Sequence, residues 1–336
     1  VWSDVFGCPH CGAENIFWFQ AVDRRQGKVT SEWECKKCGS LLSKSPSKDT
    51  GVQKAEKIWE VFFDEASGKA LRKVKQVPVF INYSLGNKRY EKDPDEHDLE
   101  IYKKITEGKI PYSYPTNELI RGDKTTDPLS IGITHTHHFY TKRNLWLLSS
   151  IKDKISRTRN ARLLFWFTSA LTWCGRENRL HIGNYFDKKG GVITSLRGTW
   201  YIASLSVETN VLERFALRTK SSLYVVDFKQ SHAVIGTGSA NQLSYLPKNC
   251  VDYIFIDPPF GANLMYSELN FLWESWLKIF TENKPEAIIN TSQKKNLSSY
   301  QTLIEECFTS FYQLMKPGIW MTIEFHNSQN AVWIAI

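Results

Sequence analysis

Hydrophobic positions change their spacing several times along the chain. Near the N-terminus they come in short runs. Residues 16–20 and 29–34 read as two strands joined by a turn at Arg25-Gln26-Gly27-Lys28. Residues 42–51, rich in Ser, Lys and Pro, read as a linker. Partial alternation over 57–63, 71–76 and 79–83, with turns at Ser67-Gly68 and Leu85-Gly86-Asn87, predicts a β-rich stretch. The spacing then becomes helical. Leu99, Tyr102 and Ile105 behind an acidic start predict a helix over 95–107. Residues 108–132 are turn-rich, with Pro111, Pro115 and Pro128, and 145–155 and 161–173 read as helices.

The last third alternates between strand and helix. A helix is expected over 207–218 with Ser206 as its N-cap, then a short strand over 233–236. Residues 251–257 form an apolar run ending in Asp, as a buried parallel strand does. Helices follow over 265–280 and over 298–316. The second has Ser298 and Gln301 as a capping box, and Pro317-Gly318 stops it. A final strand is expected over 319–325. These elements are read as part of a doubly wound α/β sheet.

Composition narrows the class. The chain has 336 residues, 42% hydrophobic and 23% charged, which excludes a wholly disordered chain and suggests about two domains. The longest uncharged apolar stretch, 163–174, is too short to span a bilayer, and no secretory signal is visible. The net charge of +8 is not spread evenly. Residues 141–230 hold 16 Lys/Arg and 6 Asp/Glu, a net of +10. Such a block suits phosphate contacts with DNA, or a solvated helix face. Trp146, Trp166, Trp173 and Trp200 lie within it as core or stacking residues. The chain begins without Met and stops inside the apolar run Val332 to Ile336, so both ends are expected to be cuts in a longer protein.

Two CxxC pairs, Cys8/Cys11 and Cys35/Cys38, stand 23 residues apart, each followed by Gly. Each short spacer lets two sulfurs of one turn face one ion, and the Gly lets the backbone turn beneath it. The pattern suits one tetrahedral structural Zn²⁺ in a ribbon over residues 1–45. A redox CxxC or two buried thiol pairs are the alternatives. Paired knuckles of this kind are unlike a secreted disulfide framework and point to a reducing, cytoplasmic compartment. Cys174, Cys250 and Cys307 fall in expected core segments.

The tetrapeptide Asp257-Pro258-Pro259-Phe260 closes the strand expected over 251–257, where ligands of open α/β sheets bind. An exocyclic amine is a poor nucleophile because its lone pair is delocalised into the ring. Acceptors aimed at its hydrogens favour a pyramidal nitrogen. The Asp257 carboxylate and the Pro258 carbonyl are two such acceptors, and consecutive prolines hold them in place. Phe260 offers a face for an unstacked base. The bland reading is a rigid turn after a core strand.

These residues resemble motif IV of the S-adenosylmethionine-dependent DNA amino-methyltransferases, and more narrowly the adenine-specific DNA methylases with an inserted zinc ribbon. The likeness extends over the opening Val1-Trp2-Ser3-Asp4-Val5-Phe6 with its Cys8 knuckle, Thr134-His135-Thr136-His137-His138-Phe139-Tyr140, Lys142-Arg143-Asn144-Leu145-Trp146, Asp257 to Gly261 with Met265-Tyr266-Ser267, and Glu324-Phe325-His326-Asn327. It implies a Rossmann-like methyltransferase sheet, incomplete here, with a zinc ribbon inserted. The divisions are 1–45 ribbon, 46–140 β-rich insert, 141–230 basic helical region and 231–336 partial catalytic sheet. It implies methyl transfer from S-adenosylmethionine to adenine N6, or cytosine N4, of DNA. Asp257, Pro258, Pro259 and Phe260 are then catalytic. Ser239, Ala240 and Asp257 border the cofactor. Phe260, Tyr266, Arg143 and Asn144 meet the substrate. Gly236-Thr237-Gly238-Ser239-Ala240 is not a convincing Gly-rich motif I, which in this family precedes the ribbon and is expected before Val1.

His135, His137 and His138 are a possible metal pair in His-x-His form, but without a third ligand nearby in sequence; DNA contact or packing are the other readings. Glu324, His326 and Asn327 follow a strand of the same sheet, and two readings stand for them: bordering the base pocket, and packing. Two rival functions remain: an RNA guanine-N2 methyltransferase, and a non-catalytic zinc-ribbon nucleic-acid-binding module.

Overall fold

The strand Trp2–Gly7 organises the N-terminal part of the molecule. All of its residues but Gly7 are buried. It pairs antiparallel with Gln76–Pro78 and Leu205–Ser206 at its start, and with Glu14–Ile16 and Glu56–Lys57 at its end. Those four partners satisfy a backbone that water does not reach. Its polar side chains Ser3 and Asp4 have partners as well. The Ser3 hydroxyl accepts the Trp18 amide at 3.0 Å. Asp4 accepts Gln76 Nε2 at 2.6 Å and lies 2.9 Å from the Lys57 ammonium.

The computed structural model describes residues 1–47, 51–193, 196, 198–222, 233–262 and 264–336. The chain forms two units, Val1–Leu119 with Asp127–Tyr224, and Ile120–Thr126 with Val225–Ile336. The architecture is mixed α/β with several small sheets; among the described residues none closes into a barrel. No helix among them is long and apolar enough to cross a membrane.

In the first unit, one core joins Phe6, Phe17, Trp18, Trp33, Leu42 and Phe80 to Leu180, Ile182, Leu205 and Val207. The two cysteine hairpins therefore share their interior with residues far along the chain. Residues 17–20, expected in a strand, belong to the helical turn Phe17–Ala21, because Phe17, Trp18 and Ala21 are all buried and one strand face cannot bury them together. The expected linker over 42–51 opens inside a sheet. Leu42 is fully buried in strand Leu41–Ser43, which pairs with Glu32–Glu34 and with Gln53–Lys54; residues 48–50 lie outside the described set.

The β-rich stretch contains the hairpins Trp59–Asp64/Lys69–Val74 and Ile81–Leu85/Lys88–Lys92. Helix Glu96–Glu107 starts at Asp95 with a reciprocal Asp95/Asp98 capping box. Helix Lys142–Thr158 is capped by Thr141 and ends at Arg159, whose φ is 52°. The helix expected over 161–173 breaks into Ala161–Thr168 and the 3-10 turn Leu171–Cys174. The helix expected over 207–218 is Val211–Ser222, and Asn210 caps it by accepting the amides of Leu212 and Glu213. Ser206 instead pairs with Trp2 in the central sheet, so strand pairing overrides the apolar periodicity there.

The second unit contains a β-α-β crossover. Strands Ile254–Ile256 and Met321–Ile323 pair in parallel, with Ile254 opposite Met321, and helix Leu297–Leu314 connects them. Asn296, not Ser298, caps that helix. Tyr300, Ile304 and Val332 form the local core. The strand is less buried than its apolar run suggests: Phe255 is 58% exposed, so the face of the strand that carries it is left largely uncovered. The strand expected over 233–236 does not form; Val234 and Ile235 are almost wholly exposed. The helix expected over 265–280 breaks at Asn270 into Tyr266–Leu269 and Phe271–Leu277.

Candidate metal centre and candidate amine-binding loop

The four cysteines converge in the first unit. Cys8 Sγ lies 3.7 Å from Cys38 Sγ, and Cys11 Sγ lies 3.7 Å from Cys35 Sγ. All four sulfurs are within 4.8 Å of one another. A tetrahedron with metal–sulfur arms of about 2.3 Å has edges of about 3.8 Å. A disulfide instead needs about 2.05 Å. The spacing fits sulfurs arranged around one ion, and all seven cysteines are free.

The two knuckles repeat one another. The Gly12 amide donates to the Cys8 carbonyl at 2.9 Å, and the Gly39 amide donates to the Cys35 carbonyl at 3.0 Å. The Cys8 amide donates to Ala13 and the Cys35 amide to Ser40. Gly12 and Gly39 have φ of 71° and 72°, so glycine is required by conformation; a Cβ there would meet nothing within 4 Å. Buried Asn15 links the knuckles. Its amide donates to the Ala13 carbonyl at 2.9 Å and faces Cys35 Sγ at 3.7 Å, while its carbonyl accepts the Lys36 amide. The Ser40 hydroxyl and amide lower the Cys38 thiol to about 5. Burial opposes ionisation of Cys35, but the amides of Lys37 and Cys38 and the Asn15 side chain outweigh it and lower its pKa. Donors that favour the thiolate at Cys35 and Cys38 suit metal ligation.

In the second unit, Asp257-Pro258-Pro259-Phe260 leaves the carboxyl end of strand Ile254–Ile256. Three successive carbonyls of the loop are held. Buried Tyr300 donates its hydroxyl to the Pro259 carbonyl at 2.8 Å. Asn327 Nδ2 donates to the Phe260 carbonyl at 2.9 Å. The Ile289 amide donates to the Gly261 carbonyl at 3.1 Å. Burial pushes the Tyr300 phenol up to about 12, so it remains a donor near neutral pH. Gly261 sits at φ 71°, and a Cβ there would lie 3.2 Å from Val332. Among the described residues, the Asp257 carboxylate and the Pro258 carbonyl make no hydrogen bond. The exposed Asp257 thus keeps both acceptor oxygens available beside a fixed loop.

The other expected site residues are placed as follows. Phe260 is half-buried and meets Phe325 edge-to-face at 5.3 Å, and Phe325 in turn meets Trp333. Tyr266 opens its helix and is 45% exposed. Ser239 lies in a turn, hydrogen-bonded to Asn241, which is tied to Glu306 on helix Leu297–Leu314; Ala240 is in the same turn. Arg143 pairs with Glu208 at 2.8 Å. Asn144 is buried, and its amide clamps the carbonyls of Cys174 and Thr209. In the basic block, Lys154, Arg157, Arg159 and Arg162 are exposed around the end of helix Lys142–Thr158, while Arg214 and Arg218 cover Trp173. Trp200 is buried against Phe139. Residues 194, 195, 197 and 223–230 of the block lie outside the described set.

Several contributors escaped the linear pattern. Tyr300 and Asn327 hold the loop from 41 and 67 positions away. Asn327 was legible only as a candidate neighbour, and Tyr300 looks like any apolar helix position. Behind Tyr266, fully buried Glu268 accepts the Lys124 amide at 2.7 Å and Asn290 Nδ2 at 2.9 Å. Neither a protein-family model, a curated protein nor a solved structure matches the chain.

Proposed function

We propose that the chain acts in S-adenosylmethionine-dependent methylation of an exocyclic amine of DNA, adenine N6 in the first instance, with a structural Zn²⁺ at its four cysteines. One observation carries the reading. A strand-end Asp-Pro-Pro-Phe loop has its later carbonyls held by Tyr300, Asn327 and Ile289, while among the described residues nothing occupies the Asp257 carboxylate or the Pro258 carbonyl. Two free acceptors at the start of a held loop, beside a half-buried aromatic ring, suit an amine whose lone pair must be localised. Asp257 and Pro258 orient the NH₂ group, and Phe260 contributes the wall against which the extruded base lies.

The methyl donor is S-adenosylmethionine. The described residues do not build its cradle: Gly236 and Gly238 are open turn positions, and the Ser239 hydroxyl is engaged by Asn241. The proposal therefore rests on the amine side of the reaction. For zinc the fit is direct, in sulfur spacing and in thiolate-favouring donors. The exposed cations at Lys154, Arg157, Arg159 and Arg162 suit phosphate contacts, and seven free cysteines suit a reducing, cytoplasmic compartment.

The test is methyl incorporation from tritiated cofactor into duplex DNA and into rRNA, with the wild type and Asp257→Ala. Incorporation into DNA that Asp257→Ala abolishes supports the proposal. Unchanged transfer by the variant refutes the role of Asp257. Incorporation into rRNA alone transfers the reading to an RNA guanine, and none into either supports a binding module.

A further inference from the structure

Asp64, His137 and His138 meet inside the first unit from distant parts of the sequence. Asp64 ends the strand Trp59–Asp64, and the histidines lie in the 3-10 turn Thr136–Phe139. His137 Nε2 is 2.8 Å from Asp64 Oδ1, and His138 Nε2 is 3.7 Å from the same oxygen. All three side chains are at most 8% exposed. The expected His-x-His pair on a strand face is replaced by adjacent histidines on a tight turn, and the third ligand missing from the local sequence is Asp64.

A hydrogen bond accounts for only part of this arrangement. His137 satisfies Asp64 Oδ1, yet His138 Nε2 is buried with no hydrogen-bond partner. The two rings stand only 4.3 Å apart, centroid to centroid. Burying an unpartnered imidazole nitrogen beside a second imidazole is unfavourable unless something is shared between them.

We propose that Asp64 Oδ1, His137 Nε2 and His138 Nε2 bind a divalent transition-metal ion, at a site separate from the four cysteines. An ion with bonds of about 2.1 Å holds neighbouring donors about 3.0 Å apart in an octahedron and about 3.4 Å apart in a tetrahedron. The two measured separations, 2.8 and 3.7 Å, bracket that range. Two imidazoles and one carboxylate select zinc, iron, cobalt or nickel over magnesium and calcium, which take oxygen donors.

The surroundings orient the donors. Asp64 Oδ2 accepts the Ser67 amide at 3.0 Å, which leaves Oδ1 to face the histidines. The Thr134 amide donates to His138 Nδ1 at 3.3 Å and the Thr134 hydroxyl lies 3.4 Å from it; an ion on Nε2 moves the ring proton to Nδ1, where the hydroxyl replaces the amide as its partner. His135 Nδ1 is 2.9 Å from the same hydroxyl and is not one of the three donors. An ion here ties the hairpin Trp59–Asp64/Lys69–Val74 to the segment around Gly132, where the Val74 amide already donates to the Ile131 carbonyl at 3.0 Å.

The test uses the full chain, dialysed against zinc and then freed of loose metal. Elemental analysis is expected to give two zinc equivalents for the wild type and one for both Asp64→Asn and His138→Gln. Cobalt exchanged into the wild type is expected to add weak visible bands without thiolate charge transfer, and both variants should lose those bands while keeping cysteine-bound metal. A wild type with one equivalent and only thiolate-type cobalt absorption overturns the proposal, because the triad is then a packed hydrogen-bond cluster. Two equivalents in both variants overturn it as well. The wild-type cobalt spectrum stands even if a variant fails to fold.

Discussion

Glu177 is a buried carboxyl of the first unit. It is 1% exposed, and neither carboxylate oxygen has a hydrogen-bond partner. It lies between the turn Leu171–Cys174 and strand Arg179–Leu180, folded over Gly175, and it is close enough to Cys174 to raise that thiol further. Burial pushes the Glu177 carboxyl up from 4.5 to about 8. Between those values the unfolded chain has lost the proton and the folded chain keeps it, so the unfolded state binds fewer protons. The contribution is fully present below about pH 4.5 and is lost as pH rises towards 8. Each pKa unit corresponds to about 1.4 kcal/mol, so raising the pH from 5 to 7.5 costs the first unit about 3 kcal/mol. Glu177→Gln keeps the shape and removes the titration. Urea unfolding of both proteins at pH 5 and 7.5 measures the difference. The variant is expected to gain about 3 kcal/mol on the wild type between the two pH values. The cost of burying a carboxamide is the same at both and cancels. A pH dependence equal in the two proteins to within about 0.5 kcal/mol refutes the argument, because Glu177 is then solvated or paired in the folded state.

Three further outcomes follow from the same structure. Cys35→Ser, or a strong chelator, should remove cooperative unfolding of the first unit, since the knuckles share its core; near-UV circular dichroism that persists without metal would show that the ion is not structural. Gly132→Ala should destabilise that unit by about 3 kcal/mol or more, because Gly132 is at φ 84° and an added Cβ would lie 2.3 Å from the Arg72 carbonyl oxygen; calorimetry showing less than about 1 kcal/mol of loss contradicts the backbone approach. Tyr300→Phe should cost about 1–2 kcal/mol of stability in a urea titration by leaving the Pro259 carbonyl without its donor. It should also lower methyl transfer in the tritium assay more than that stability loss explains, and unaltered transfer would mean that the loop does not need the hydroxyl.

Local chemistry was legible wherever it depends on neighbours in sequence. The CxxC-Gly knuckles are such a case, because each turn closes on its own carbonyl. The helix with an acidic start over 95–107 is another, although its cap at Asp95 emerged only in the structure. The strand before Asp257 and the helix before Pro317 were also legible, from an apolar run and from helical spacing. What failed depended on partners far away. Residues 17–20 follow the core rather than their β-like composition, and Ser206 pairs with Trp2 rather than capping a helix. Residues 233–236 are apolar, but the described structure gives them no strand to pair with.

The amino-acid sequence alone determined the two short-range motifs, four sulfurs on two turns and a rigid Asp-Pro-Pro-Phe loop, because CxxC-Gly and consecutive prolines restrict the backbone within a few residues. Only the tertiary structure decided which groups complete them. It brought Tyr300 and Asn327 onto the loop, Asn15 onto Cys35, and Asp64 onto two histidines more than 70 positions away. Such pairings carry no local signature. They arise when burial brings distant polar groups together and leaves each to be satisfied by another.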